Sequence, residues 1–185
     1  HLNNEDSPTY ASRGWKLNIN GKYLVPVIKM EDGSRMGNSI VVRADLDGSI
    51  ALGKKLSMKL GATVGTSLSG NEPPLSYRFF VGGQSHMKYF DNIISFDGLK
   101  FTQLYGDHIA LAKISWQYNI YKNIYAIANF NGGYVSDNYN EWLTDDSFVF
   151  GCGLTLGMNT MAGPIEVSLM GSNRCSGLVG FLNVG

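Results

Sequence analysis

The feature that most constrains this chain is a strict alternation of apolar and polar residues, sustained over stretches longer than an ordinary strand. From Trp15 the apolar positions are Trp15, Leu17, Ile19, Tyr23, Val25 and Val27, with Lys16, Asn18, Asn20 and Lys22 between them. Ile40, Val42, Ala44, Leu46, Ile50 and Leu52 follow on one face, opposed by Arg43, Asp45, Asp47 and Ser49. Leu56, Met58, Leu60, Ala62 and Val64 then alternate with Ser57, Lys59 and Thr63. A helix would repeat near 3.6 residues; a period of two is a strand whose successive side chains point to opposite faces.

The pattern continues to the C-terminus. Ala110, Ala112, Ile114, Trp116, Tyr118 and Ile120 oppose Lys113, Ser115, Gln117 and Asn119, and a tight connection at Lys122-Asn123 follows. Beyond it Ala126, Ala128, Phe130 and Tyr134 oppose Asn129 and Asn131. Phe148, Phe150, Cys152, Leu154, Leu156 and Met158 line one face of the next strand. Ile165, Val167 and Leu169 then alternate with Glu166 and Ser168, and Leu178–Gly185 reads as a last strand cut short.

Length decides between solvents. Strands of soluble proteins average about 5–6 residues, whereas a tilted membrane-spanning strand needs about 9–11. The connections also alternate. Gly53–Lys55, Tyr121–Asn123 and Asn159–Gly163 are short, while Glu31–Asn38, Thr66–Asp107, Ser136–Asp146 and Ser172–Gly177 are long. Short turns at one end and long loops at the other are the pattern of a transmembrane barrel. Trp15, Tyr121, Tyr125, Tyr134 and Trp142 sit near strand ends, where aromatic girdles form. The expectation is an all-β, antiparallel transmembrane β-barrel with roughly eight strands in this chain. Lipid would touch the apolar faces, and Lys16, Arg43, Asp45, Lys59, Lys113, Gln117, Asn131 and Glu166 would face the lumen. The competing architecture is a soluble up-and-down barrel with its apolar faces turned inward.

Composition agrees with strands and gives few other leads. Charged residues make up 16% of the 185-residue chain, against about 25% in soluble domains. Lys+Arg and Asp+Glu balance at 15 each, so no bulk field draws the chain to nucleic acid. No apolar run is long enough for a transmembrane helix. The opening HLNNEDSPTY lacks the features of a signal peptide, so the chain is expected to begin partway through a longer protein. Cys152 falls inside a strand and Cys175 at a loop tip, farther apart than the roughly 7 Å between Cα atoms that a disulfide tolerates.

Sites with recognisable chemistry are not found. Gly65-Thr66-Ser67-Leu68-Ser69 lacks the last glycine of a hydrolase nucleophile elbow and the helix that follows one. Gly48–Lys55 approaches a phosphate-binding loop but lacks its Ser/Thr and overlaps an alternating strand. His1, His86 and His108 have no companion at metal-ligand spacing. Asp45 and Asp47 share a face with Arg43 and read as a mixed-charge wall. The loop holding Asp137, Glu141, Asp145 and Asp146 lacks the ligand spacing of a calcium loop. No catalytic residue, cofactor or metal is expected in this chain.

Three short motifs carry a family resemblance. Asp6-Ser7-Pro8 … Arg13-Gly14-Trp15 resembles the "D…P-x-(R/D)-G" lead-in to a strand in the bacterial surface antigen superfamily of outer-membrane barrels. Pro74 … Arg78-Phe79-Phe80-Val81-Gly82-Gly83-Gln84 resembles that superfamily's "F-x-x-G-G" segment, which opens a long loop folded into the lumen. Gly163-Pro164-Ile165 … Asn183-Val184-Gly185 resembles its final hairpin, without the closing aromatics. The resemblance covers nearly the whole chain. It implies a single outer-membrane barrel domain over residues 1–185, the last eight of roughly sixteen strands, with a lumen-directed loop at about 66–107.

In insertases and secretion transporters of that superfamily the double glycine is followed by an Arg-Gly-Phe/Tyr tip, whose arginine contacts the wall. Here the corresponding stretch is Ile94-Ser95-Phe96-Asp97-Gly98-Leu99, with Asp97 in the arginine's place, which counts against insertase-type activity. The pattern "F-x-x-G-G … F-x-G-L" is more similar to barrels fused to patatin-like phospholipases. The resemblance therefore implies a membrane anchor or translocator for an upstream phospholipase domain. Phe79, Phe80, Gly82, Gly83, Phe96, Asp97, Gly98 and Leu99 form the lumen-loop motif. The implied partners are outer-membrane lipids and the upstream domain, with no nucleic acid; a homodimer is left open. An insertase or transporter, and a self-contained eight-stranded barrel, are the alternatives.

Overall fold

The computed structural model describes residues 2–5, 13–25, 38–69, 75–84, 92–141, 143–161 and 163–184. The motif residues Asp6, Ser7, Pro8 and Pro74, together with His1, His86, Trp142 and most of 31–38, lie outside the described residues. In chain order the strands are β1 (Leu2–Asn3), β2 (Gly14–Leu24), β3 (Ser39–Ala51), β4 (Leu56–Ser69), β5 (Phe79–Val81), β6 (Ile93–Ile94), β7 (Leu104–Gly106), β8 (His108–Tyr121), β9 (Ile124–Ser136), β10 (Phe148–Thr160), β11 (Gly163–Ser172) and β12 (Val179–Val184). No α-helix occurs among the described residues.

Nine strands form one antiparallel sheet in the order β1-β2-β3-β4-β8-β9-β10-β11-β12. Consecutive long strands are neighbours throughout, and β5, β6 and β7 form a separate small sheet within the β4–β8 connection. The strands β2, β3, β4, β8, β9, β10 and β11 have 10 to 14 residues each. The sheet is open: β12 at one edge does not pair with β1 or β2 at the other. Among the described residues, the seven long strands and β12 thus do not close on themselves.

One face of the sheet is apolar and exposed. Ile40, Leu46 and Ile50 of β3, Leu60 and Val64 of β4, and Ile114 and Trp116 of β8 all lie on it. Phe150, Leu154 and Leu156 of β10 and Val167 and Leu169 of β11 continue it. Trp116 meets Phe130 edge-on at 5.5 Å, and Tyr134 meets Phe148 at 5.4 Å. The opposite, inner face holds the buried polar residues Asp45, Ser57, Ser115, Gln117, Asn129, Thr155 and Glu166. This is the inverse of a soluble barrel, where the apolar side chains would be the enclosed ones.

Two aromatic positions follow local geometry. A register shift between Asn119 and Tyr121 pairs Tyr121 with Ile124 and turns its ring to the exposed face. Tyr125, expected in an outer girdle, is instead on the inner face, because its neighbours Ile124 and Ala126 take the outer positions of β9. Alternation, not nearness to a strand end, sets the direction of a side chain.

Candidate functional site

Two kinds of residue share the inner face. Towards the long loops Val41 on β3, Ile109 and Leu111 on β8, and Val149 on β10 form an apolar tier, each at most 8% exposed, with Ser39 and Ser67 also buried at this end and Lys22 paired with Val41. From the middle of the strands to the short turns the same face carries Lys16, Arg43, Asp45, Asp47, Lys59 and Ser115, which line a cavity of about 580 Å³. Lys113 stands at the boundary, one inner position below Leu111. Arg43 donates to Asp45 through Nε at 2.9 Å and Nη2 at 2.7 Å, and Thr63 donates to the same carboxylate oxygen at 2.8 Å.

The β4–β8 connection folds onto this face, its apolar side chains against the apolar tier. Phe79 and Phe96 are 1% exposed, Val81 and Leu99 0%, and they form one cluster with Ile94, Val41, Ile109, Leu111 and Val149. The Phe79 ring packs over Gly65 of β4, where a β-carbon would come within 2.7 Å of it. Burial of this kind contributes roughly 1.5–3 kcal/mol per large side chain. Phe80 stands apart from the cluster, half-buried on the other side of β5, with its ring 6.3 Å from that of Tyr105. Gly82 and Gly83 leave β5 with φ of 138° and 70°, and Gly83 bridges Phe96.

Asp97 is the polar centre of the contact. It is fully buried, and its Oδ2 lies 2.7 Å from Lys113 Nζ, an ion pair by distance without hydrogen-bond alignment. Its Oδ1 accepts from Gln84 Nε2 at 2.7 Å, and its carbonyl accepts from Asn131 Nδ2 at 3.2 Å. Gln84 in turn accepts from Ser168 Oγ at 2.8 Å, and Ser168 and Thr155 share a hydrogen bond of 2.8 Å. The tip is thereby tied to β8, β9, β10 and β11 at once. Backbone contact is just as close. Gly98 has φ of 93°, and a β-carbon on it would run into the Gly171 carbonyl, while Ser172 Oγ donates to the Gly98 carbonyl at 2.8 Å.

The root of the connection is pinned separately. Arg78 bonds Asp107 at 2.8 Å and Asp137 at 2.6 Å, and lies 4.9 Å over the Tyr105 ring. Burial would lower the Arg78 pKa, but the hydrogen bond and charge of Asp107, joined by Asp137, hold the guanidinium above its ordinary value. Gln103 also donates to the Arg174 carbonyl at 3.1 Å, joining this segment to the β11–β12 connection.

Of the motif residues expected from sequence, all but Phe80 meet in one contact region. The sequence reading did not find the partner of Asp97, the bridging role of Gln84, or the apolar tier. A signal for the tier was present, since Val41, Ile109, Leu111 and Val149 break the polar side of their strands' alternation. Nothing local marks Lys113 as the partner of Asp97. Ser67, the would-be nucleophile, is a buried residue inside β4, with no helix after it. No group of His, Cys, Asp and Glu among the described residues is placed to hold a metal.

No curated protein matches the chain. The family model of the OMP85 superfamily matches it over residues 1–185. Members of that superfamily are outer-membrane barrels of the insertase and transporter kind. With an antiparallel sheet of long strands, an apolar outer face and a polar inner one, this chain belongs to the OMP85 superfamily.

Proposed function

We propose that the chain is the C-terminal half of an outer-membrane barrel that anchors an upstream patatin-like phospholipase domain and braces its own lumen with the segment around Phe79–Leu99. The observation that carries the bracing role is the tip of that segment, where buried Asp97 is bound to Lys113, Gln84 and Asn131 and Gly98 is set against β11. Hydrocarbon offers no partner to backbone amides, so the open edges, at β12 and at β1 with the part of β2 that β1 leaves uncovered, require further strands to close the sheet. Strands upstream of His1 supply them in this reading. The phospholipase assignment rests on the "F-x-x-G-G … F-x-G-L" pattern alone.

A second reading, an insertase or secretion transporter, is favoured by the Asp97–Lys113 pair. It places an ionic contact between loop and wall with the charges exchanged, so the missing arginine no longer argues against this class. The gene sequence upstream of His1 tests both. A G-x-S-x-G elbow followed by more alternating strands supports the anchor. Tandem periplasmic α/β repeats support the transporter. A signal peptide directly before His1 overturns the half-barrel reading.

A further inference from the structure

We infer that the two short turns β3–β4 and β8–β9 together form a docking surface for the anionic headgroup of a membrane phospholipid, held by Lys54, Lys55 and Lys122. This rests on the membrane reading proposed above and adds to it a lipid class and the place where that lipid sits.

The turns adjoin because β4 and β8 are neighbours in the sheet, with Leu56 paired to Tyr118. Hydrogen bonds then fix one turn to the other. Asn119 N donates to the Lys55 carbonyl at 2.8 Å, and Asn119 Nδ2 donates to the Lys122 carbonyl at 2.9 Å. One asparagine thus holds the backbone of both turns, and the three lysines leave a single stretch of the sheet's rim. All three are exposed. Among the described residues none of them enters an ion pair, whereas at the long-loop end Arg78 is matched by Asp107 and Asp137. No acidic residue lies in 52–56 or 121–124. The third short turn, Asn159–Gly163, has no charged residue at all, so the basic surface is local and not a belt around the rim.

What borders the lysines selects their occupant. Leu52, Leu56, Tyr118, Ile120 and Tyr121 flank the turns on the outer face, each at least 36% exposed. A rim of this composition meets acyl chains, and ammonium groups just beyond it stand at headgroup depth, where long lysine stems reach phosphate and water. The register shift between Asn119 and Tyr121 adds to this. It brings Tyr121 to the outer face beside Ile120, and Lys122 Nζ lies 5.3 Å from the centre of the Tyr121 ring. Tyrosine favours the boundary between hydrocarbon and water, so the cation over its ring is held at that boundary. A phosphodiester of net negative charge carrying two acyl chains matches both features. A soluble anion would leave the apolar rim unused, and a zwitterionic lipid brings its own cation to the lysines. Short turns of outer-membrane barrels face the periplasm, which places this lipid in the inner leaflet.

Quenching by brominated lipids tests this in the full-length protein reconstituted into phosphatidylcholine bilayers. A fluorophore is attached at Leu56→Cys, between the two turns, or at Val167→Cys on the outer face of β11, with the native cysteines replaced by serine. The probes are brominated phosphatidylglycerol and brominated phosphatidylcholine with the same acyl chains. A lysine near an anionic headgroup is worth roughly fivefold in binding. At Leu56→Cys the phosphatidylglycerol is therefore expected to associate at least roughly fivefold more strongly than the phosphatidylcholine. Lys54→Gln, Lys55→Gln and Lys122→Gln together should abolish that preference, and at Val167→Cys the two lipids should quench alike. Equal quenching at Leu56→Cys with the lysines intact would overturn the inference, as it would if an acidic surface of the rest of the chain covered the turns. A preference that survives the triple substitution, or that is as strong at Val167→Cys, would also overturn it. Absence of quenching by either lipid at both reporters would refute lipid contact itself, a result distinct from equal quenching.

Discussion

Removing the two partners of the Asp97–Lys113 pair should have unequal consequences, because their surroundings differ. Asp97 is 0% exposed and Lys113 35%, at a separation of 2.7 Å. In Lys113→Met the carboxylate stays buried with its charge uncompensated except through Gln84. Breaking a fully buried pair in this way costs about 3–5 kcal/mol. Lys113 reaches water, so the lower end applies, and about 3 kcal/mol is expected. In Asp97→Asn the ammonium left behind sits on a side chain that is 35% exposed and is hydrated, and the amide oxygen still accepts from Gln84; the expected cost is about 1 kcal/mol. Adding Asp97→Asn to Lys113→Met should then recover about 2 kcal/mol, since it removes the stranded charge. Urea unfolding of the full-length protein in bilayers, with all four members of the cycle, reads these values. Equal costs for the two single variants, or no recovery in the double, would refute the argument that burial of Asp97 makes this contact matter.

Other expectations are as direct. Ile114→Arg, on the exposed face of β8, should cost about 2–4 kcal/mol at mid-membrane depth; a heat-stability assay showing normal assembly would count against lipid contact there. Phe96→Ala should cost about 3–5 kcal/mol through the cavity it leaves, with an unchanged denaturant slope. Gly98→Ala should cost about 2 kcal/mol or more, from its left-handed backbone and the Gly171 carbonyl, and should hasten proteolysis of the 70–107 segment. Arg78→Met, which strands Asp107, should cost about 2–3 kcal/mol and speed hydrogen exchange at the start of β8.

The sheet was legible because each strand divides its two faces between hydrocarbon and a polar interior, and that division writes period two directly into the residues. Alternation alone placed Arg43, Asp45, Lys59, Lys113 and Glu166 on the inner face. Tyr121 lies outward, as its place near a strand end suggested, but the bulge that puts it there is invisible in the pattern. Tyr125 was misplaced because position near a strand end outweighed parity. The site was legible only in part. Phe79, Gly82, Gly83 and the Phe96–Leu99 run stood out as a motif, but their contacts are long-range. Lys113, Asn131, Thr155 and Ser168 come from four strands, and only the fold brings them to Asp97 and Gln84. The apolar tier is written in Val41, Ile109, Leu111 and Val149, the apolar exceptions on the polar side of their strands.

In a membrane barrel the apolar face of this sheet meets lipid and the polar face does not. β10 tests it most directly, because Phe150, Cys152, Leu154 and Leu156 are exposed while Gly151, Gly153 and Thr155 between them are buried on the inner side. Spin labels placed singly along Phe148–Met158 of the full-length protein in bilayers report their collisions with oxygen, which concentrates in lipid, and with a water-soluble nickel chelate. Oxygen access is expected to peak at 150, 152, 154 and 156 and to fall at the positions between. Oxygen access without that alternation, or nickel access peaking at those same four positions, would contradict it.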